Sequence, residues 1–310
     1  MDTNARPVVV GLDLSGNSDL ALEWAAGEAD RLGRPLTVLH AYEPAAFPAV
    51  RAGVPGGSVV TDLDLTLKDI ALQTVSHCAD RVRKSHPGLE IRTLSADGPA
   101  GAALVDASRE AELVVVGARG HGALKGMLFG SVSTHVCAHS HAPVIVVREA
   151  ASRSLTDARV VVGVDGSETS QAALAFAYAQ ASSRGLGLTI AHTWQLDGDE
   201  TSVAWGIDWE EIGEQERSVV AEAVAGFGEQ YPDVDVRRYV TQADPVEELG
   251  RLSENACLLV VGTHGRGTVS GWLKGSVSLP LLRAAHCPVA VVHPSGVNQT
   301  GSAGSRAVHA

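Results

Sequence analysis

The chain has 310 residues, 45% of them hydrophobic, so it is long enough to bury the cores of two domains of ordinary size. Its 24 Lys and Arg against 36 Asp and Glu give a formal net charge of -12, which argues against binding a nucleic-acid backbone. Four widely spaced cysteines without a CxxC pair, and a start that lacks a basic and then apolar leader, predict a reducing, cytoplasmic setting. No apolar run approaches the roughly 18 residues of a membrane span, so no membrane association is expected.

Three segments of the first half recur in the second. VVVGLDLS matches VVVGVDGS, LTVLHAY matches LTIAHTW, and HAPVIVV matches HCPVAVV. The repeat predicts two domains, 1–150 and 151–294, followed by a disordered tail over 295–310, which lacks apolar periodicity. Early matches are 152 residues apart (160 − 8) and late ones 145 (262 − 117), so the first half carries seven extra residues. We place these in the Pro- and Gly-rich segment EPAAFPAVRAGVPGGS.

Short runs rich in Val, Leu and Ile alternate with helical patterns in each half. The first half reads VVVGL, LTVLHA, IRTL, LVVVG and PVIVV, and the second reads VVVGV, LTIAHT, VRRYV, LLVVG and PVAVV. Nearly continuous apolar runs are typical of parallel strands buried on both faces and connected by helices. The sequence therefore predicts an α/β fold of two tandem five-stranded parallel-sheet domains. Ser15 and Ser167 are expected to cap a helix after the first strand, and Asp97 and Asp244, each ahead of a proline, to mark the start of a later helix.

A glycine loop follows the fourth run of each half. GARGHGALKGMLFGSVS from Gly117 and GTHGRGTVSGWLKGSVS from Gly262 share the pattern G-x2-G-x9-G-S-V-S. Each loop leaves the carboxyl end of a predicted strand, where open α/β sheets bind ligands, and ends at a helix start whose backbone N–H groups favour an anion. The lysine and glycine order excludes a P-loop, and no Rossmann fingerprint follows the first strand. Gly130 and Gly275 would let the main chain approach a phosphate, and the hydroxyls that could add hydrogen bonds belong to Ser131, Ser133, Ser276 and Ser278.

This loop, together with Gly-x-Asp-x-Ser after the first strand, resembles the universal stress protein family in its tandem two-domain, ATP-binding form. The resemblance covers about residues 6–293 and includes both loops. It implies a Rossmann-like sheet of strand order 3-2-1-4-5 in each half, with ATP, alone or with Mg²⁺, between strands 1 and 4. Asp13 and Asp165 would lie by the adenosine, and the backbones near Ala41 and Thr193 would contact adenine. The residues implied to hold ribose and phosphates are Gly117, Gly120, Gly130, Ser131, Val132 and Ser133 in the first half, and Gly262, Gly265, Gly275, Ser276, Val277 and Ser278 in the second.

One of these residues allows a plainer interpretation, and two neighbouring positions depart from the family pattern. Asp13 could serve only to bond its own loop or cap a helix. Leu14 stands where the second half has the more usual Gly166, which narrows the approach to the first site. Pro280 falls in the first turn of the second phosphate helix, where it is harmless if Ser276 lies before the cap and costly if Ser276 is the cap.

Two functions remain open on the sequence alone. One is a regulatory protein whose ATP occupancy alters a surface that a partner protein reads during stress or growth arrest. The other is a slow ATP-hydrolysing enzyme, which needs an oriented water and usually a metal held by a carboxylate. Because no acid ends LVVVGA or LLVVGT, we expect binding and signalling, without a catalytic residue. The HxxxHxH motif at His135–His141 has no full counterpart in the second half, so no metal site is expected.

The resemblance also bears on assembly. Strands PVIVV and PVAVV each leave a row of backbone groups to be paired, and the resemblance implies that these edges associate within the chain or between chains. The expected partners are thus an adenine nucleotide, an unidentified protein and a second copy in a homodimer, but neither nucleic acid nor membrane.

Overall fold

The structure is a computed structural model that describes residues 5–13, 15–43, 58–118, 130–148, 158–195, 209–263 and 277–294. Within these ranges, residues 58–67 and 209–210 are described by their backbone. The Pro- and Gly-rich segment expected to hold the extra residues, the tail, Leu14 and most of both glycine loops lie outside the described residues.

Strands and helices alternate along the first half. In chain order they are β1 (Val8–Leu12), α1 (Gly16–Leu32), β2 (Leu36–Tyr42), α2 (Ser58–Ser85), β3 (Ile91–Asp97), α3 (Ala100–Ala107), β4 (Leu113–Gly117), α4 (Ser131–His139) and β5 (Val144–Val147). Among the described residues, no helix combines the length and apolarity needed to cross a membrane.

The second half repeats this order, with one additional short helix. Its elements are β6 (Arg159–Gly163), α5 (Glu168–Arg184), β7 (Gly187–Trp194), α6 (Trp209–Ala223), α7 (Phe227–Gln230), β8 (Val236–Gln242), α8 (Pro245–Ser253), β9 (Ala256–Gly262), α9 (Ser278–Ala284) and β10 (Val289–Val292).

All ten strands form one sheet, in the order β3-β2-β1-β4-β5-β10-β9-β6-β7-β8. Within each half the strands are parallel and follow the order 3-2-1-4-5, which confirms the predicted fold. At the centre, β5 and β10 pair antiparallel, with Val146 opposite Val289. The expected association of these two edges therefore takes place within the chain, and this pairing leaves neither edge for a second copy.

Two hydrophobic layers cover the two faces of this sheet, and each runs through both halves. One layer is built from the strands with α1, α2, α5 and α6, and the other from the strands with α3, α4, α8 and α9. Central strand residues such as Val8, Val10 and Val160 are fully buried. Burial of such a side chain stabilises the fold by about 2 kcal/mol. Because each layer contains residues of both halves, the two halves share both hydrophobic layers.

Helix starts follow the predictions, although one of the residues that mark them does not act as a cap. Ser15 and Ser167 cap α1 and α5, each accepting a hydrogen bond from the N–H three residues on. Asp244 caps α8, and its Oδ1 accepts from the N–H groups of two residues at 2.9 Å. Asp97 also marks a helix start, since α3 begins at Ala100, but Gly98, with φ of 102°, separates it from Pro99, which takes the cap position of α3 without a side-chain bond.

A buried polar cluster joins α1 to α5 across the centre. Glu28, whose side chain is 1% exposed, accepts hydrogen bonds from Gln180 Nε2 at 2.9 Å and from Arg184 Nη2 at 2.6 Å. Arg31 also pairs with Glu28 and donates to Ser183 Oγ. Burial lowers the pKa of Arg184, which lies 5.2 Å from the centre of the Trp24 ring. Glu28 and Gln180 are 152 residues apart, so equivalent positions of the two halves meet here with unlike side chains.

Candidate functional site

A cavity that is open to solvent lies at the carboxyl ends of β6, β7 and β9. Its walls continue over the first residue of α8 and the start of α9. Residues that were predicted to bind ligand meet in this cavity. They are Asp165, Thr193, Gly262, Val277 and Ser278, whereas Gly265, Gly275 and Ser276 lie outside the described residues.

The turn between β6 and α5 carries Asp165 into this cavity. Asp165 Oδ1 accepts a hydrogen bond from the backbone N–H of Ser167 at 3.0 Å, and Ser167 in turn caps α5. Gly166 between them has φ of 76°, a left-handed conformation that disfavours any side chain. Asp165 therefore both shapes its own turn and lines the cavity.

Asp13 makes the same turn contact in the first half. Its Oδ1 accepts from the Ser15 N–H at 3.1 Å and from the Ser15 hydroxyl at 2.7 Å. The plainer interpretation of Asp13 as a loop-bonding residue thus describes a contact that it does make.

The glycines that end β4 and β9 lie directly against the start of a helix, where a side chain would collide with it. A Cβ atom on Gly117 would lie 3.0 Å from the backbone of Asn17, at the start of α1. A Cβ atom on Gly262 would lie 2.7 Å from Thr169 Cγ2, at the start of α5. In both halves the glycine allows the first helix to begin directly beside the fourth strand, which brings the turn after the first strand close to the end of the fourth.

The helix that follows the glycine loop begins two positions later in the second half than in the first. In the first half Gly130 is the cap and α4 starts at Ser131, whereas α9 starts at Ser278, with Val277 as its cap. Pro280 is the third residue of α9, where a missing N–H costs no helical hydrogen bond. Ser276 therefore precedes the cap of α9, and Pro280 is accommodated in the first turn of the helix without the loss of a hydrogen bond.

The first-half residues cluster at the equivalent strand ends. Gly130 N–H donates to the Ala118 carbonyl at 3.1 Å, so the glycine loop closes back onto the end of β4. Ser131 is exposed and Val132 half-buried, while Ala41 is a half-buried residue near the end of β2. Ser133 is 2% exposed and donates its hydroxyl to the Gly130 carbonyl at 3.0 Å, so that proton serves the helix start. Gly120 lies outside the described residues.

A histidine that sequence reasoning missed supports each of the two turns that carry Asp13 and Asp165. His40 Nδ1 lies 2.7 Å from the Leu12 carbonyl, and His192 Nδ1 lies 2.7 Å from the Val164 carbonyl. These carbonyls directly precede Asp13 and Asp165. The recurrence of His in LTVLHAY and LTIAHTW could have indicated this role, because both strands carry it at the same position.

The histidines of the HxxxHxH motif lie at the end of α4. The rings of His135 and His139 stack with centroids 4.4 Å apart, and His139 Nδ1 lies 2.9 Å from the His135 carbonyl. Across the described ranges, no group of three or more potential metal ligands converges.

Comparison with known proteins gives the same assignment for both halves. The model of the universal stress protein family matches residues 4–148 and again residues 158–293. A universal stress protein of Mycolicibacterium smegmatis is 38% identical over 289 residues, which cover 93% of this chain and 97% of that protein. The universal stress protein Rv2623 of Mycobacterium tuberculosis is 36% identical over 293 residues, covering 93% and 96%. The chain therefore belongs to the universal stress protein family and carries two copies of its domain in tandem.

A solved structure has the same fold over nearly the whole chain. The universal stress protein from Archaeoglobus fulgidus superposes with a TM-score of 0.63 and covers 92% of this chain and 95% of its own. Its sequence identity is 24%, so this likeness concerns the fold.

Proposed function

We propose that the protein binds ATP at the strand ends of each half and that nucleotide occupancy alters a surface read by a partner protein in a stress response or growth arrest. The observation that carries this proposal is the cavity of the second half, into which five of the predicted ligand residues converge. The cavity lies beyond the carboxyl ends of parallel strands, where open α/β sheets bind their ligands. In the proposal, Asp165 and Thr193 contact the adenosine, while Gly262, Val277 and Ser278 hold ribose and phosphates.

Magnesium belongs to the proposal as a companion of the phosphates. Mg²⁺ in nucleotide sites is bound by phosphate oxygens and water with one or two carboxylates. Asp165 is the carboxylate in the described lining of the cavity. The residues present therefore suit a magnesium ion that arrives with the nucleotide.

The proposed role is regulatory rather than enzymatic. Asp165, the acidic residue of the described cavity lining, already accepts a hydrogen bond from its own turn, which suits a fixed binding contact better than a proton-transferring base. We further propose that the protein acts in the cytoplasm, since its four cysteines are all free thiols. A homodimer would need a surface other than β5 and β10, which pair with each other.

Two matched substitutions test the nucleotide proposal. Ala41 and Thr193 occupy equivalent, half-buried positions at the ends of β2 and β7. Tryptophan at either position would fill the space expected for adenine, so Ala41→Trp and Thr193→Trp should each abolish one of two ATP sites, and the double variant should abolish both. Thr93→Trp, at an exposed position of β3, should leave both sites intact.

The measurement combines two readouts. Small molecules recovered from the denatured wild-type protein are identified by mass spectrometry, and ATP binding is titrated by calorimetry. Two ATP per chain in the wild type and one in each single variant are expected. Recovered ADP would favour slow hydrolysis, and unchanged stoichiometry in the double variant, or a wild type that neither contains nor binds ATP, would refute the proposal.

A further inference from the structure

The turn that carries Asp165 is tied to the rest of the protein through His192. This residue lies on β7 with 4% of its surface exposed, and its Nδ1 lies 2.7 Å from the carbonyl of Val164. A carbonyl oxygen can only accept, so Nδ1 carries a hydrogen and donates it. The donated bond fixes the peptide that enters Asp165.

A second group then fixes His192 itself. Its Nε2 lies 2.7 Å from Glu216 Oε2, and the Glu216 side chain is 25% exposed on α6. With a carbonyl at one ring nitrogen and a carboxyl group at the other, the pair must hold a proton between Nε2 and Oε2. The result is an unbroken series of hydrogen bonds from α6 through β7 to the turn of the proposed nucleotide site.

The first half retains the histidine, but the position equivalent to Glu216 does not carry a carboxylate. His40 bonds the Leu12 carbonyl at the same distance, 2.7 Å, but is half-buried rather than buried. The 145-residue offset that relates Gly117 to Gly262 places Ala71 at the position of Glu216. Ala71 lies on α2 and is 1% exposed, so a methyl group packs where the second half has a carboxylate.

We propose that Glu216 and His192 form a positioning pair that holds Asp165 in its ligand-binding geometry, a support without a counterpart among the first-half residues that the structure describes. The role in ligand binding rests on the function proposed above. Neither residue is required to touch the nucleotide, because the pair acts through the Val164 carbonyl and the turn that follows it.

The test uses the full chain with substitutions that separate the two bonds. Glu216→Ala reproduces the first-half arrangement, and an alanine is already accommodated at the equivalent position of α2. His192→Asn retains an amide donor at the place of Nδ1 and loses the bond to Glu216, whereas His192→Leu loses both bonds. His40→Leu is the matched change in the first half.

Two measurements keep the positioning role distinct from the proposed function. Hydrogen exchange of the Ser167 amide, which donates to Asp165, is followed by NMR without nucleotide, with the Ser15 amide as internal control. ATP affinity of the second site is titrated in an Ala41→Trp background that occupies the first site.

Glu216→Ala is expected to speed exchange at Ser167 and weaken ATP binding at the second site, each by about tenfold, because a charge-assisted hydrogen bond has been lost. His192→Leu should exceed this effect, His192→Asn should restore part of it, and His40→Leu should act on Ser15 alone. Unchanged exchange at Ser167 in both Glu216→Ala and His192→Leu would overturn the positioning role whether or not ATP binds. Faster exchange without any ATP binding in the wild type would support the pair and refute the proposed ligand.

Discussion

The two halves have the same backbone arrangement at the turns that carry Asp13 and Asp165, but different side chains support these turns. Both place an aspartate, a capping serine and a histidine at equivalent positions. Beyond these, the second half has Glu216 behind its histidine where the first has Ala71, and the helix that follows its glycine loop begins two residues later. The contacts that shape the turn are thus shared, whereas the contacts one layer further out differ.

The same contrast holds where the halves meet. Glu28 of α1 and Gln180 of α5 occupy equivalent positions and bond each other, and Arg31 does the same with Ser183. Two identical helices would place glutamate against glutamate and arginine against arginine, which repel. The unlike pairs therefore favour contact between the two halves of one chain over contact between identical halves of two chains.

The largest effect is expected from removing the buried charge at this junction. Glu28→Ala leaves Arg31 and Arg184 facing each other in a buried site, and should lower the free energy of unfolding by about 3 kcal/mol. Gln180→Ala, at the equivalent position, removes a neutral group and should cost about 1 kcal/mol. Urea denaturation of both variants measures the difference, and equal losses would contradict the asymmetry of the junction.

A smaller difference is expected at the helices that follow the third strand of each half. Asp244→Ala removes the two hydrogen bonds that cap α8 and should destabilise the protein by about 1 kcal/mol. Asp97→Ala, equally exposed but outside a cap, should change stability by less than about 0.5 kcal/mol. Thermal denaturation separates the two, and a loss at Asp97 as large as at Asp244 would show that both aspartates act as caps.

The smallest effect is expected at the surface, as a dependence on pH. A hydrogen bond from Arg159 lowers the pKa of the exposed Asp235 carboxyl below its ordinary 3.8. A lowered pKa contributes stability above the ordinary value, and this is lost as pH falls through the folded value. Wild type should therefore exceed Asp235→Asn in stability at pH 7, and the gap should shrink towards about pH 3. A gap that stays constant on acidification would exclude the ion pair as its source; Glu90→Gln, the first-half equivalent, is the control.

The sequence predicts the sheet well because its strands are buried on both faces. In an α/β fold, apolar runs such as VVVGL and LVVVG fit only as buried strands. Because these runs recur, they predict the strands of both halves. The cap of the helix before β4 was harder, since the 145-residue offset places Pro99, and not Asp97, at the position of Asp244. A cap can thus change between the halves without any change in the apolar pattern.

Other features depend on contacts between distant segments. Glu28 falls in the buried stripe of α1 with Ala21 and Ala25, so its burial follows from helical periodicity. Its partners on α5 do not follow, because they require the antiparallel junction. Glu216 likewise is one of many glutamates on an exposed helix, and no local pattern separates the one that reaches His192.

The antiparallel junction between β5 and β10 has a consequence for signalling. The strands of each half are parallel to one another, and the strands of the two halves run in opposite directions. The carboxyl ends of the first-half strands therefore lie at one end of the sheet, measured along the strands, and those of the second half lie at the other end. Four strand spacings separate the β1/β4 crevice from the β6/β9 crevice, or roughly 19 Å across the sheet. The molecule thus has two poles, each with its own turn and glycine loop. Under the proposed function, a compact partner docking at one pole would sense one nucleotide, and two partners could be held at once by a single chain.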